Sequence, residues 1–407
     1  MNRDDRRSTD LRRRALDVLC SPELGGIVEM VLSMPEPGLY EARAVDVAPT
    51  VLALLGLPPC GTAGPGGLPR PGHHLAVQDG RVLTEILDST GTADHVVVVL
   101  IDGANADALY QAAADGELPH VRSLIERGTA LAHGAIASLP TVTLANHTTL
   151  NTGAHPGHHG VLHNAWYDRN AGRQVVTESP ATWQESMRWL FPGVETVHEA
   201  VHRHRPDAVT VAVNEPADLG ADFSTMEPMR RRDIRQLMTV VPDPPPHANL
   251  AWLGTSADYR WGSMADAAAV IQATGVWGGE LLGTTFPLPT FTWVSFSLTD
   301  SAFHEGGPYS EIAAAALRDT DARLGEILAS IERRGALHRT AVLLVADHGM
   351  EETAPDRLGD WGQALRAADI EHRDEASGFL YLGDQPDRPA VPGGAPATGS
   401  VPAVPAT

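Results

Sequence analysis

The chain has 407 residues, 43% of them hydrophobic, enough to bury a large core. Its 51 acidic side chains outnumber 30 basic ones, giving a net charge of −21 that argues against nucleic acid or an anionic membrane as the main partner. Its two cysteines, Cys20 and Cys60, are too few for a disulfide framework or a thiolate zinc site, so any metal must rest on His, Asp and Glu.

The opening stretch, MNRDDRRSTDLRRRALDVLC, is arginine-rich but lacks the apolar core of a secretory signal. No apolar run reaches the roughly eighteen residues that a spanning helix needs. A cytoplasmic protein with no membrane partner is expected. The breaker-rich segment PPCGTAGPGGLPRPGHHL, Pro58–Leu75, reads as a long loop. HVVVVLI, His95–Ile101, is a continuous β-branched run of the kind buried on both faces of a parallel sheet. LPHVRSLIERG then shows apolar residues at helical spacing and stops at Gly128. A helical segment over Thr196–His204 precedes the strand AVTVAV, Ala208–Val213. WVSFSL, Trp293–Leu298, precedes a long helix from about Ser310 to Arg334, and TAVLLVA, Thr340–Ala346, is a further strand. The proline- and alanine-rich residues 388–407 read as a disordered tail. Strands alternating with helices predict a mostly parallel sheet covered on both faces, with ligands at the C-terminal strand ends.

Three of these strands run into acidic residues: Asp102-Gly103, Thr299-Asp300 with His304 four residues on, and Asp347-His348-Gly349. One aspartate after a strand is an ordinary turn residue or helix cap. Three on one sheet, two with a nearby histidine, suit a metal site, since carboxylate oxygen and imidazole nitrogen are ligands zinc accepts without thiolates. The segment Ser138–Asp168, SLPTVTLANHTTLNTGAHPGHHGVLHNAWYD, is dense in hydroxyls, histidines and asparagines and otherwise reads as a polar loop with helix caps. Its His147, His155, His158, His159 and His163 are expected mainly to hold the segment in shape by hydrogen bonds, and Trp166 and Tyr167 to pack. RRRD at Arg230–Asp233 reads as a solvated face from which one arginine could reach a substrate phosphate.

PTVTLANH followed by HPGHHGVLHNAWYD resembles the nucleophile segment of the nucleotide pyrophosphatase/phosphodiesterase family within the alkaline-phosphatase superfamily. Asp102-Gly103, the Asp300/His304 pair and Asp-His-Gly-Met from Asp347 follow the order of that family, so the resemblance covers about residues 95–350. It implies an α/β fold with an alkaline-phosphatase-like, mostly parallel central sheet, helices on both faces and an inserted cap region. It implies Thr143 as nucleophile and Asn164 as donor to a charged phosphoryl oxygen. Two divalent ions, expected to be Zn2+, would be held by Asp102, Thr143, Asp347 and His348 and by Asp300, His304 and one further histidine. The implied activity is metal-dependent hydrolysis of phosphodiester or pyrophosphate bonds through a phospho-threonine intermediate. The substrate would be a small phosphate ester such as a nucleotide, with no nucleic acid partner.

The resemblance departs from the family order at both ends. Ala42–Pro59, Asp79–Leu87 and the preceding ELGGIVEMVLSMPEPG resemble the part that normally closes the superfamily's chains, which predicts a circular permutation. The expected organisation is a permuted segment over 1–90, a catalytic core over 91–387 with a cap insertion near 165–288, and the tail. Leu24 stands where the resemblance calls for the further zinc-binding histidine. His372, His73, His74 or water is expected to take that place. Two alternatives remain open: a phosphonoacetate-hydrolase-like enzyme cleaving a C–P bond, and a catalytically impaired binding module of the same fold.

Overall fold

A computed structural model of the chain describes residues 13–15, 18, 42–59, 73–87, 91–169, 172–179, 182–231, 240–248, 254–353, 361–375 and 379–382. Cys20, Leu24, Cys60, most of the Pro58–Leu75 loop, the end of the Arg230–Asp233 run and the 388–407 tail lie outside them. The chain divides into a larger unit, Pro37–Asn164 with Val176–Thr353, and a smaller one, Met1–Glu36 with Ala165–Val175 and Ala354–Thr407.

The larger unit is built on one sheet. Its strands are β1 (His95–Ile101), β4 (Thr210–Val213), β5 (Phe223–Ser224), β8 (Phe291–Phe296) and β9 (Thr340–Val345), in the order β5-β4-β8-β1-β9. Every neighbouring pair is parallel. A small separate sheet is formed by β6 (Glu280–Leu281) and β7 (Thr284–Thr285). The period-2 geometry of a strand sends alternate side chains of β1 to opposite faces, and both faces are covered. Val97, Val99 and Ile101 join one core with Val294 and Phe296, packed under α2 (Ala106–Ala114), α3 (Pro119–Arg127), α6 (Ala257–Gly278), α7 (Leu298–Gly306) and α8 (Glu311–Arg333). Val96, Val98 and Leu100 join the other with Phe291 and Trp293, under α1 (Val47–Leu54), α4 (Thr143–Thr152) and α5 (Val197–His204). Six consecutive apolar residues, Val96–Ile101, survive in β1 because neither face meets water. The edge strand β9 is half-buried, beside a cavity of about 980 Å3 that includes Val342, Leu344, Asp347 and His348 in its wall.

Two elements differ from the sequence expectation. The strand begins at Phe291 and ends at Phe296, and Leu298 already opens α7, because Asp266 on α6 accepts the backbone N–H groups of Ser297 (2.7 Å) and Leu298 (3.2 Å) and caps the helix there. The polar segment around Thr143 contains a ten-residue helix with nine buried residues. Its hydroxyls need no water: Thr148, Thr149 and Thr152 donate to the carbonyls of Leu144, Ala145 and Thr148, one turn back. The helix stops at Gly153, whose φ of 67° is the left-handed conformation glycine adopts without strain. Within the span expected as a cap insertion, β4 and β5 belong to the central sheet and α6 packs on it.

In the smaller unit, β10 (His372–Glu375) pairs antiparallel with β11 (Phe379–Leu382), α9 spans Trp361–Ala367, and Ala15, Leu365 and Ile370 form an apolar cluster. β2 (Ala165–Asp168) pairs with β3 (Arg173–Val176). Tyr167 meets Tyr381 edge-on at 5.8 Å and carries the Arg373 guanidinium 4.7 Å above its ring. Both Trp166 and Tyr167 are buried, the packing role expected for them. Among the described residues no helix is long and apolar enough to cross a membrane.

Candidate active site

Register brings the three acidic strand ends together. Ile101 lies opposite Phe296 and Leu100 opposite Val345, so the adjacent strands β8, β1 and β9 end nearly level. Asp102 follows β1 directly, Asp347 follows β9 by two residues, and Asp300 sits in the first turn of α7. Gly103 makes the crossing possible. Its φ is 69°, its N–H donates to Asp347 Oδ1 at 3.1 Å, and Asp300 lies against its α-carbon.

Thr143 is the first residue of α4, and its Oγ1 lies 3.4 Å from His348 Nε2. Asn146, one turn further along, anchors the preceding loop: its Oδ1 accepts from Ser138 N–H, and its amide donates to the carbonyls of Ser138, Pro140 and Val142. Asn164 Oδ1 accepts the Leu144 N–H at 3.0 Å, which leaves its amide nitrogen as a donor beside Thr143. The helix N-terminus adds a partial positive charge suited to an anion.

The distances among the ionisable groups favour a cation over direct pairing. His348 Nε2 is 3.2 Å from Asp347 Oδ2 and 3.6 Å from Asp102 Oδ1, and His304 Nε2 is 3.5 Å from Asp300 Oδ1. Charged N–H···O bonds run at about 2.7–2.9 Å. Ligand atoms held tetrahedrally at about 2.0–2.2 Å from zinc lie about 3.3–3.6 Å apart. The ligand atoms of Asp102, Asp300 and His348 all lie within 4.8 Å of one another, as do those of Asp102, His147 and Asp347. Asp102 Oδ1, Asp300 Oδ1, Asp347 Oδ2 and His147 Nε2 are buried without a hydrogen-bond partner. Orphaned buried polar atoms are costly, and four converging on one volume fit a bound divalent ion. Burial pushes the Asp102 carboxyl well above the usual carboxylate range, and the neighbouring Asp347 and Asp300 push it the same way. Burial likewise raises Asp300, against the pull of His304 and His348. A cation between these groups would relieve both effects.

The structure thus brings Asp102, Thr143, Asn164, Asp300, Asp347 and His348 to one end of the sheet, with His304 exposed at the rim. His372 lies on β10 of the smaller unit, its Nδ1 3.0 Å from Ile370 O, and is in neither metal-competent group. His74 sits beside Leu57, Arg203 and His204, and neither it nor His73 is in those groups. Arg230 is engaged by Asp218, Glu227 and the Gln184 carbonyl. The other histidines of the Thr143 segment hydrogen-bond locally. His155 Nδ1 meets Ser138 Oγ, His158 meets Asp79, and His159 accepts from Val161 N–H while its Nε2 meets Ala145 O and Thr149 Oγ1. Burial drops the His159 pKa to about 3, so it is neutral. His147 differs from these. Its Nδ1 is 2.8 Å from Glu215 Oε2, and its Nε2 faces Asp102 and Asp347. Glu215 was missed by sequence reading although it carries the same signal as the others, an acid just beyond a strand, here β4.

Comparison with known proteins adds to this geometry. The sequence pattern of the type I phosphodiesterase / nucleotide pyrophosphatase family matches residues 96–396, a span that holds Asp102, Thr143, Asn164, Asp300, His304, Asp347 and His348. A pyrophosphatase/phosphodiesterase of Schizosaccharomyces pombe, described as uncharacterized, is 24% identical over 299 residues, covering 72% of this chain and 51% of its own. Ectonucleotide pyrophosphatase/phosphodiesterase family member 3 of Mus musculus is 25% identical over 227 residues, 54% of this chain and 21% of its own. This chain therefore spans about half the yeast protein (51%) and a smaller part of the mouse one (21%). Among solved structures, murine ectonucleotide pyrophosphatase/phosphodiesterase 5, an inactive variant in complex with AMP, aligns over 69% of this chain and 64% of its own, with 17% identity and a TM-score of 0.49.

Proposed function

The chain belongs to the type I phosphodiesterase / nucleotide pyrophosphatase family, and on that footing we propose that it hydrolyses phosphodiester or pyrophosphate bonds of small phosphate esters such as nucleotides. The observation that carries the reading is the convergence of Asp102, Asp300, Asp347 and His348 beside the Thr143 hydroxyl. Asp102, Asp347, His348 and Thr143 would hold one divalent ion, and Asp300 and His304 a second, with zinc the ion that suits this nitrogen and oxygen donor set. Bound ions would lower the proton affinity of a coordinated hydroxyl and offset negative charge on the phosphoryl group.

Thr143 is the nucleophile in this reading. Its Oγ attacks phosphorus, the bond to the leaving oxygen breaks, and a phospho-threonine forms that water later hydrolyses. Asn164, its oxygen tied to Leu144 N–H, donates its amide N–H to an equatorial phosphoryl oxygen as charge builds. The N-terminus of α4 favours the same charge. The ion-free alternatives for His348 and the carboxylates are poor, since their separations are too long for strong pairing.

The same reading takes residues 1–90 as the closing part of the family fold, circularly permuted to the front. Its support is that the family match starts at residue 96 while α1 and Leu75 pack in the core beneath β1. The test is turnover of an aryl phosphodiester by the purified chain, with metal content measured alongside. Two zinc ions per chain and activity that a chelator removes and zinc restores are expected. A metal-free chain without turnover would overturn the reading in favour of a binding module, and preference for a phosphonate would place the activity at C–P bonds.

A further inference from the structure

His147 and Glu215 form a buried pair that the proposed reaction does not use. His147 lies on α4, one helical turn from Thr143, and is 3% exposed. Glu215 lies two residues beyond β4 and is fully buried. Asn214 between them has φ 52°, a left-handed turn that asparagine tolerates, and is pinned by its amide to Ser295 O and Ser297 Oγ. Glu215 is fully occupied: Oε1 accepts Ala217 N–H at 2.7 Å, and Oε2 accepts the Ser295 hydroxyl at 2.7 Å and meets His147 Nδ1 at 2.8 Å.

The far side of the ring is different. His147 Nε2 has no hydrogen-bond partner, although it is buried and points between Asp102 Oδ2 at 3.9 Å and Asp347 Oδ2 at 3.8 Å. Those separations exceed a hydrogen bond and are of the order expected between ligands that share one ion. An imidazole whose Nδ1–H is claimed by a carboxylate presents a lone pair on Nε2, the arrangement by which proteins orient metal-binding histidines.

We propose that His147 Nε2 is a further ligand of the ion held by Asp102 and Asp347, and that Glu215 is a positioning residue that sets its tautomer and ring orientation. The inference rests on the metal-site reading above. It departs from the sequence expectation that His147 mainly shapes its loop, and it gives this ion an imidazole from the buried side as well as His348 from the open side. It also gives a role to a buried glutamate that has no arginine or lysine among the groups it bonds.

The test compares zinc affinity in the full-length wild-type chain, Glu215→Gln and His147→Gln, by competition with a chromophoric chelator, with circular dichroism to check the fold. In Glu215→Gln the Ala217 N–H holds the amide oxygen, so the amide N–H2 faces Nδ1, moves the imidazole proton to Nε2 and blocks coordination. Both variants should bind one zinc about ten- to a hundredfold more weakly while keeping the wild-type spectrum. Unchanged affinity in folded variants would overturn the inference and leave the metal-site reading standing, whereas a wild-type chain that binds no zinc would overturn that reading first. If both variants fail to fold, cadmium-113 loading of wild-type chain carrying nitrogen-15 histidine decides. Coupling is expected at the assigned His147 Nε2 as well as at His304 and His348, and no coupling at His147 Nε2 would reject the inference.

Discussion

Gly103 and Asp300 approach so closely that a methyl group on the glycine would stand 2.9 Å from the Asp300 carboxylate oxygen. The contact joins the turn after β1 to the first turn of α7, and it binds two of the three acidic strand ends into one rigid corner. Gly103→Ala should therefore be felt at the site. An alanine at φ 69° costs roughly 1–2 kcal/mol in conformation alone, and the methyl must also displace Asp300. Urea unfolding should show a loss of at least that size, and zinc affinity should fall with it. An unchanged zinc affinity would mean that Asp300 does not need this position.

Thr143→Ala removes the proposed nucleophile but no hydrogen bond that the helix depends on. Turnover of an aryl phosphodiester should fall by more than about a hundredfold, about 3 kcal/mol of transition-state stabilisation. The far-ultraviolet spectrum and the unfolding midpoint should stay near wild type. Residual activity above about a hundredth of wild type would require another nucleophile.

Asp266 acts at a distance from the reaction. It caps α7 through Ser297 and Leu298, and its Oδ2 lies 3.7 Å from the buried Arg323 guanidinium. Burial pushes its pKa up to about 7 even against Arg323 and the two backbone donors. Asp266→Ala removes the cap and leaves Arg323 buried without its carboxylate, so a loss of about 3–5 kcal/mol in chemical denaturation is expected. Zinc should also bind more weakly because Asp300 and His304 ride on α7. A stability change below about 1 kcal/mol would show that neither the cap nor the ion pair matters.

His198 on α5 is fully buried, 4.9 Å from the Phe291 ring, and neither ring nitrogen has a hydrogen-bond partner. Burial lowers its pKa from 6.5 to about 3. Between those values the unfolded chain binds a proton that the folded chain does not. This residue's contribution to stability therefore rises with pH from about 3 to 6.5 and is flat above. The full effect approaches about 5 kcal/mol as an upper limit. His198→Leu should flatten the acid limb of the stability profile and move acid unfolding to lower pH. An unaltered slope between pH 4 and 6 would place the acid sensitivity elsewhere, His159 being the first candidate because burial lowers it in the same way.

Much of the site could be read before any fold was known, because strand-ending acids and the Pro-Thr-x-Thr-x-x-Asn-His segment are local features. β1, β4, β8 and β9 were visible as apolar runs because both faces of the sheet are covered, and Asp102, Asp300, Asp347 and His348 stand at or near their ends. The α4 helix was not visible, since a buried helix that satisfies its own threonine hydroxyls shows no apolar stripe. Glu215 and Asp266 were not singled out by sequence, and only packing reveals one fully buried against His147 and the other capping α7.

Local sequence therefore determined which chemical groups this protein carries and that they sit where strands end. Strand order and register decided which groups share one volume. Asp102, Asp300 and Asp347 meet because β8, β1 and β9 are neighbours ending level, whereas His147 was singled out only by its ring orientation between Glu215 and two carboxylates. The physical reason is that burial and coordination depend on separations of a few ångströms between residues distant in the chain, and those separations are set by the folded core.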